Sequence, residues 1–394
     1  MNFLKNVDIA SEYRVSTTTV LNWIESAVAK KNNLQIQLIG KKYKILDSAH
    51  NRSALVNLSK QANIYRNKIE VKKTKIHPDL YNFFSEEQLV ELVNRIELNK
   101  TLPLKFTYLG KGSDSWDDFI KKSIIKDGYL PTTKIPELLK KSLSLILERV
   151  PVGKKVNIVD LGTGSSESMI ETVKYFNQKK MLKNYIGIDI SKQMLEKSKA
   201  TINAVDKSIN YVECVLDYEK HDFAKTLFEY KDENTINLVF FIEVTLGNAE
   251  NILRTLENFK NSLGEGDVLI VTNKIDNLEM RTQFEPVNRN SPHIWLTDYI
   301  GFDSDLCQLE TIYDETSARR KGYFILDKDY EIEFSVGNKI KKVMLYKDDE
   351  LVFWHHRMSE KNKIFEELNS VGLDLLDFIT TNDKKFLLVT CQSR

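Results

Sequence analysis

Among 394 residues there are only three cysteines, Cys214, Cys307 and Cys391, far apart and without CxxC spacing. That argues against a disulfide framework or a cysteine-built zinc site and fits a reducing cytoplasm. No apolar run approaches the length of a membrane span, and MNFLKNVDIASEYRV lacks the long apolar core of a signal peptide. No membrane partner is expected from such a chain. HxxxH pairs, Cys/His clusters and paired carboxylates are missing, so no metal site is expected. Missing too is G-x-G-x-x-G, the dinucleotide fingerprint. Neither sign of charge is in excess overall, with a net +1, but the charges are unevenly placed: residues 1–77 hold 14 Lys/Arg against 5 Asp/Glu, and the remainder 43 against 51. A basic head on an acidic body implies two parts with different partners, the first a candidate for a polyanion.

In the head, VDIASEYRVSTTTVLNWIES (7–26) places Ile9, Ala10, Tyr13, Val15, Val20, Trp23 and Ile24 as the apolar faces of two short helices, with Ser16 capping the second. Two helices joined so tightly follow the helix-turn-helix plan, with Thr17, Thr18, Thr19 and Asn22 exposed on the recognition helix. LQIQLIGKKYKILDS then reads as a β-hairpin with Gly40, Lys41 and Lys42 at its tip, where a wing would meet phosphates. This stretch of about fifty residues resembles the winged helix-turn-helix domains of MerR-type regulators and phage excisionases. The resemblance implies duplex DNA as a partner of residues 1–77, and a homodimer as the form that binds it. A protein-interaction or dimerisation module is the plainer alternative. Residues 1–50 are read as this domain and 51–78 as a basic linker.

The body alternates. Strand-like runs VNIVDL, YIGIDI, YVECVL, NLVFFIE and DVLIVTNKI are separated by helix-like runs, which predicts an α/β fold with a Rossmann-like parallel sheet covered on both faces. Ligands of such sheets bind beyond the carboxyl ends of the strands. There, VNIVDLGTGSSES empties into a D-x-G-x-G turn carrying Gly162 and Gly164. The second strand ends in Asp189, able to accept both hydroxyls of a ribose. The third ends in Asp217, able to accept from an adenine amino group, and Tyr218, able to stack beside the ring. A close glycine turn without a pyrophosphate cradle, a ribose acid and an adenine acid together describe S-adenosylmethionine.

GSDSWDDFIKKSIIKDGYLPTTKIPELL, DLGTGSSE, GIDIS, FIEVTLGN and the C-terminal GLDLLDFITTNDKKFLLVTCQSR look like the histidine-specific methyltransferase family, from about residue 80 onward. The resemblance implies a class I methyltransferase core preceded and followed by a family-specific substrate-binding region. Residues 79–150 and 276–358 are assigned to that region, 151–275 to the core, and 359–394 to a C-terminal helix and strands that complete the sheet. It further implies that Tyr108 lies beside the cofactor, and that Gly162, Asp189, Asp217 and Tyr218 hold it. Tyr129 would orient the substrate amine and Asn248 would hold the substrate carboxylate, and these two are the expected catalytic residues.

Departures from the family pattern bear on the substrate. Ser168 stands where the family often has a cofactor-contacting lysine. The imidazole-reading Glu and Ser align with Phe353 and His355, and a substrate-site tyrosine aligns with Phe284. Losing buried polar readers removes the basis of histidine selectivity. Phe353 with Trp354 either lines an apolar pocket or is ordinary core. His355 and His356 are expected in structural or surface positions rather than as bases. The expected function is S-adenosylmethionine-dependent methylation of the amine of an amino-acid-like small molecule other than plain histidine. The alternative is a DNA-binding regulator that uses the methyltransferase fold as a ligand sensor. A DNA methyltransferase fits less well, because IEVTLGN lacks the prolines of a base-gripping motif.

Overall fold

The computed structural model describes residues 3–13, 15–40, 42–66, 71–127, 130–243, 245–276, 281 and 286–394. The chain divides into two compact units, one of residues 1–102, 297–310 and 323–352, the other of residues 103–296, 311–322 and 353–394. Among the described residues no helix is long and apolar enough to cross a membrane.

In the second unit the apolar runs form one seven-stranded sheet. Its strands are β1 (Lys155–Leu161), β2 (Leu182–Asp189), β3 (Asn210–Val215), β4 (Thr235–Phe241), β5 (Val268–Lys274), β6 (Leu373–Thr380) and β7 (Phe386–Ser393). Their order is β6-β7-β5-β4-β1-β2-β3. β1 to β5 pair in parallel, and β7 joins β5 and β6 antiparallel. Every residue of β4 is buried, the mark of a central strand covered on both faces. In β1, Val156 and Ile158 pack into the core on one face, while Val159 and Leu161 pack into that on the other. Helices Leu130–Glu148 and Ile170–Gln178 supply the first core, and Ile252–Ser262 and Lys361–Ser370 supply the second.

Register is pinned by polar groups. Asn210 donates to Asn184 at 2.7 Å, Asn184 to Asn157 at 2.8 Å, Asn157 to Asn237 at 2.9 Å and Asn237 to Asp267 at 3.0 Å. Sliding any of these strands by one residue would break this row and turn its apolar residues to the wrong face. The row fixes the strand ends, and with them the site.

In the other unit, helices Asn6–Glu12 and Thr17–Val28 are followed by strands Ile36–Ile39 and Lys42–Leu46, with Phe3–Leu4 added to the same small sheet. Ser16 caps the second helix, accepting from the Thr19 N–H at 3.0 Å. The expected linker at 51–78 is instead built structure: helix Ala49–Arg66, then strand Val71–Lys75 paired in parallel with Asp329–Val336. Leu55 is buried in one cluster with Val20, Trp23 and Ile45, and Leu58 and Ala62 pack against it. That helical spacing of apolar residues outweighs the lysines that suggested a linker. The same unit holds helix Glu86–Asn99, opened by a Ser85/Gln88 capping box, and strand Lys339–Leu345.

Candidate active site

The strand order reverses between β1 and β4, the place where doubly wound sheets bind ligands. Gly162 and Gly164 leave β1 with φ of 68° and 50°, a region that suits glycine. A Cβ on Gly162 would lie 3.1 Å from the Tyr218 hydroxyl, whereas one on Gly164 would meet no atom within 4 Å. The turn is thus closed on its inner side and open at Gly164. Beneath it, the buried Asp160 accepts hydrogen bonds from Ser166 at 2.8 Å and from the Tyr185 hydroxyl. Burial pushes the Asp160 carboxyl up to about 7, against the pull of those two bonds. Asp160 braces the glycine turn from below.

Asp189 ends β2, buried. One oxygen accepts from the Ser191 N–H at 2.8 Å, and the other has a long 3.4 Å bond from the Gly164 N–H. Burial raises its carboxyl to about 6, opposed by those backbone donors. The Ile190 N–H and the Thr163 hydroxyl act on the carboxylate in the same direction. Asp217 follows β3 and is already paired: Lys105 Nζ lies 2.7 Å from its Oδ2, and the Glu219 N–H donates to its Oδ1 at 3.1 Å. Tyr218 packs edge-on against Phe241, with ring centres 5.4 Å apart, so its ring is shared between core and glycine turn. Tyr108 meets Trp116 and His293 edge-on at 5.5 and 5.7 Å.

Asn248 closes a short 3-10 turn, Thr245–Asn248, after β4. Its Oδ1 lies 2.9 Å from His356 Nδ1. An amide oxygen only accepts, so Nδ1 carries the proton, and the Asn248 amide N–H groups are left to donate elsewhere. A Cβ on Gly247 would fall 2.3 Å from His356 Cε1, so the glycine of TLGN is what lets the histidine approach. His356 is pushed down to about 3 by burial, then by the positive charges of Lys274 and Arg320. Burial lowers Lys274 to about 8, with Arg320 and Lys385 adding to it. Beside it Arg319 donates to the carbonyls of Ala249 and Glu250 at 3.0 and 2.9 Å and meets His355 Nδ1 at 2.9 Å. Lys274, Arg319 and Arg320 thus act on the histidine that meets Asn248, while Glu250 Oε1 lies 3.4 Å from His355 Nε2.

His355 and His356 are both buried with polar partners, and neither is at the surface. Phe353 is fully buried and packs close to Gly322, which favours ordinary core, one of the two alternatives the sequence left open. The Cζ of Phe353 is 3.3 Å from where a Gly322 Cβ would stand, leaving no room for a ligand side chain between them. Tyr129 and Phe284 lie outside the described residues. Sequence reasoning gave no role to Lys105 or Glu243, and gave His356 a structural or surface position without a partner. Glu243 follows β4, is partly buried, and accepts a hydrogen bond from Ser168. An acid directly after an apolar central strand was the available signal for Glu243.

A doubly wound sheet with a left-handed glycine turn after β1, a buried acid at the end of β2 and a second acid after β3 is the frame of an S-adenosylmethionine-dependent methyltransferase. The chain belongs to the histidine-specific, SAM-dependent methyltransferase family, whose model matches residues 86–285, half of the chain. S-adenosylmethionine is its cofactor. The buried Asp189, with a long 3.4 Å bond at one oxygen, and the open backbone at Gly164 fit that group. Among solved structures the chain is similar to an S-adenosylmethionine-dependent methyltransferase from Clostridium acetobutylicum ATCC 824, at 12% identity and a TM-score of 0.41 over 71% of this chain and 98% of that one. It is also similar to magnesium protoporphyrin IX methyltransferase from Synechocystis PCC 6803, at 8% identity and a TM-score of 0.39 over 74% and 97%. The glycopeptide N-methyltransferase MtfA matches at 10% identity and a TM-score of 0.33 over 64% and 93%. No curated protein matches the sequence.

Proposed function

We propose that this methyltransferase acts on the amine nitrogen of an amino acid or amino-acid-like small molecule other than plain histidine. The carrying observation is Asn248, oriented by His356 at 2.9 Å with Lys274, Arg319 and Arg320 around that histidine. An amide donor in a positive field is suited to an acceptor's carboxylate. Bound S-adenosylmethionine supplies a methyl group already activated on its sulfonium. Gly162, Gly164 and Asp189 hold the cofactor's ribose end, Asp217, Tyr218 and Tyr108 its adenine end, and Tyr129 orients the acceptor amine. Most of the acceleration then comes from positioning two reactants in one site. Phe353 in the core and His355 tied to Arg319 leave no imidazole-reading pair, which supports a side chain other than histidine's.

Incubation with labelled cofactor and the common L-amino acids, followed by mass spectrometry, tests this reading. Transfer to an α-amine, lost in Asn248→Ala with affinity for S-adenosylhomocysteine kept, is the expected result. Transfer to none of them, or to an oxygen or carbon, overturns it.

We also propose that the basic head, residues 1–77, binds duplex DNA through a winged helix-turn-helix at residues 1–50. The helix pair, the Ser16 cap and the exposed Lys42 and Lys44 of the hairpin support this, together with the head's excess of positive charge.

A further inference from the structure

Glu243 leaves β4 with φ of 63°, a left-handed conformation that side-chain-bearing residues adopt at a cost. Its carboxyl is the hydrogen-bond acceptor of Ser168, which sits on the turn that follows the glycine loop. The contact thus joins the ends of β1 and β4, the two strands between which the sheet order reverses. Among the described residues Ser168 is the one hydrogen-bonding side chain that reaches this carboxyl. Five residues further on, Asn248 offers its amide. An α-amino acid has two charged ends, and one segment, 243–248, provides an acid for the ammonium and an amide for the carboxylate.

We infer that Glu243 receives the proton that the acceptor's ammonium group must lose before its nitrogen can be methylated, and that Ser168 orients the carboxylate for it. This rests on the amine-methylating reading above. In the step, one N–H bond of the acceptor breaks and its electron pair stays on nitrogen, while the proton forms an O–H bond on a Glu243 carboxylate oxygen. Solvent takes that proton before the next turnover, so no further reactant is needed. Burial raises this carboxyl to about 7, with the Ser168 bond opposing and the charges of Asp160 and Glu167 adding. Asp160 stands on β1 and Glu167 on the same turn as Ser168, and both are acids. A base of that strength is matched to neutral pH.

The test has one arm that needs no turnover. In the complex with S-adenosylhomocysteine, the carboxylic C=O infrared band missing from Glu243→Gln is titrated with and without methylammonium. Methylammonium should move the disappearance of the band to lower pH, because a bound cation favours the carboxylate. An unmoved band overturns the proposal. In the second arm the common L-amino acids are methylated at pH 7 by both proteins. Glu243→Gln should lose at least about 100-fold in kcat, keep its affinity for S-adenosylhomocysteine, and lose the acidic limb of the pH–rate profile. If Glu243→Gln instead weakens S-adenosylhomocysteine tenfold and leaves kcat intact, Glu243 holds the cofactor and the proposal fails. If methylammonium moves the band while no amino acid is methylated, the amino-acid reading fails and the role of Glu243 toward an amine stands.

Discussion

Lys105 Nζ lies 2.7 Å from Asp217 Oδ2, and the two side chains are only 10% and 15% exposed. Removing one partner of so dry a pair strands the other's charge. Lys105→Met should therefore cost about 3 kcal/mol, and adding Asp217→Asn should recover most of it. Urea denaturation of the single and double variants measures both numbers. A loss within about 0.5 kcal/mol would show the pair to be solvated like a surface one.

Among the described residues Asp189 faces no cation in such a pair and is held by uncharged donors, among them the Gly164 N–H at 3.4 Å. Asp189→Ala removes the proposed ribose acceptor and should weaken S-adenosylhomocysteine by about 1–3 kcal/mol. Calorimetry on the folded variant reads this directly. Unchanged affinity would move the ribose elsewhere.

Glu219 gives the fold a pH dependence that can be isolated. It accepts from the Glu250 N–H at 3.0 Å, and burial raises its carboxyl from 4.5 to about 7, with Lys105 and that N–H opposing. A carboxyl raised in the folded state carries no penalty below its unfolded value and a full one above its folded value. Glu219→Gln, neutral throughout, should gain stability over the native chain between pH 4.5 and 7, reaching about 1–3 kcal/mol at pH 8. Tm values compared at pH 5 and pH 8 check it. A gain already complete at pH 5 would mean the effect is not ionisation.

For the basic head, the full-length protein should bind duplex DNA at low salt, with log affinity falling linearly against log salt as counterions are released. Lys42→Glu with Lys44→Glu should weaken binding and flatten the slope, because both lysines lie exposed on the hairpin. Absence of binding at low salt in gel shifts would favour the interaction-module reading of the head.

Much of this architecture is legible in the sequence because local patterns are enough for it. The runs that became β1 to β5 are apolar and bounded by turn residues, and the Ser16 cap precedes an amphipathic stretch. Helix Ala49–Arg66 was hidden because the lysines that follow it, Lys68, Lys72, Lys73 and Lys75, are conspicuous, while the apolar spacing of Leu55, Leu58 and Ala62 matters only once a partner core exists. Phe353 could not be sorted between pocket and core, since strand alternation says which face is apolar and not whether a ligand covers it. The pairs that define the site are non-local. Lys105 reaches Asp217 across 112 positions, Ser168 reaches Glu243 across 75, and Asn248 meets His356 across 108. No spacing rule covers such distances.

The acceptor itself is the sharpest prediction. On the proposed reading Asn248 holds the acceptor's carboxylate, so a free α-carboxylate should matter more than the side chain. Amino-acid methyl esters should therefore lose at least about tenfold in kcat/KM against the free acids, since a neutral ester forfeits a charge-assisted hydrogen bond. His356→Ala should act in the same direction, raising KM with kcat less affected, because it releases Asn248 from the bond that orients its amide. Free histidine should be a poor substrate beside larger, less polar amino acids, because Phe353 is packed near Gly322 and His355 is held by Arg319. A substrate panel compared by kcat/KM decides the matter. Efficient methylation of histidine would show that other residues read the imidazole, and esters methylated as well as acids would remove the carboxylate-holding role of Asn248.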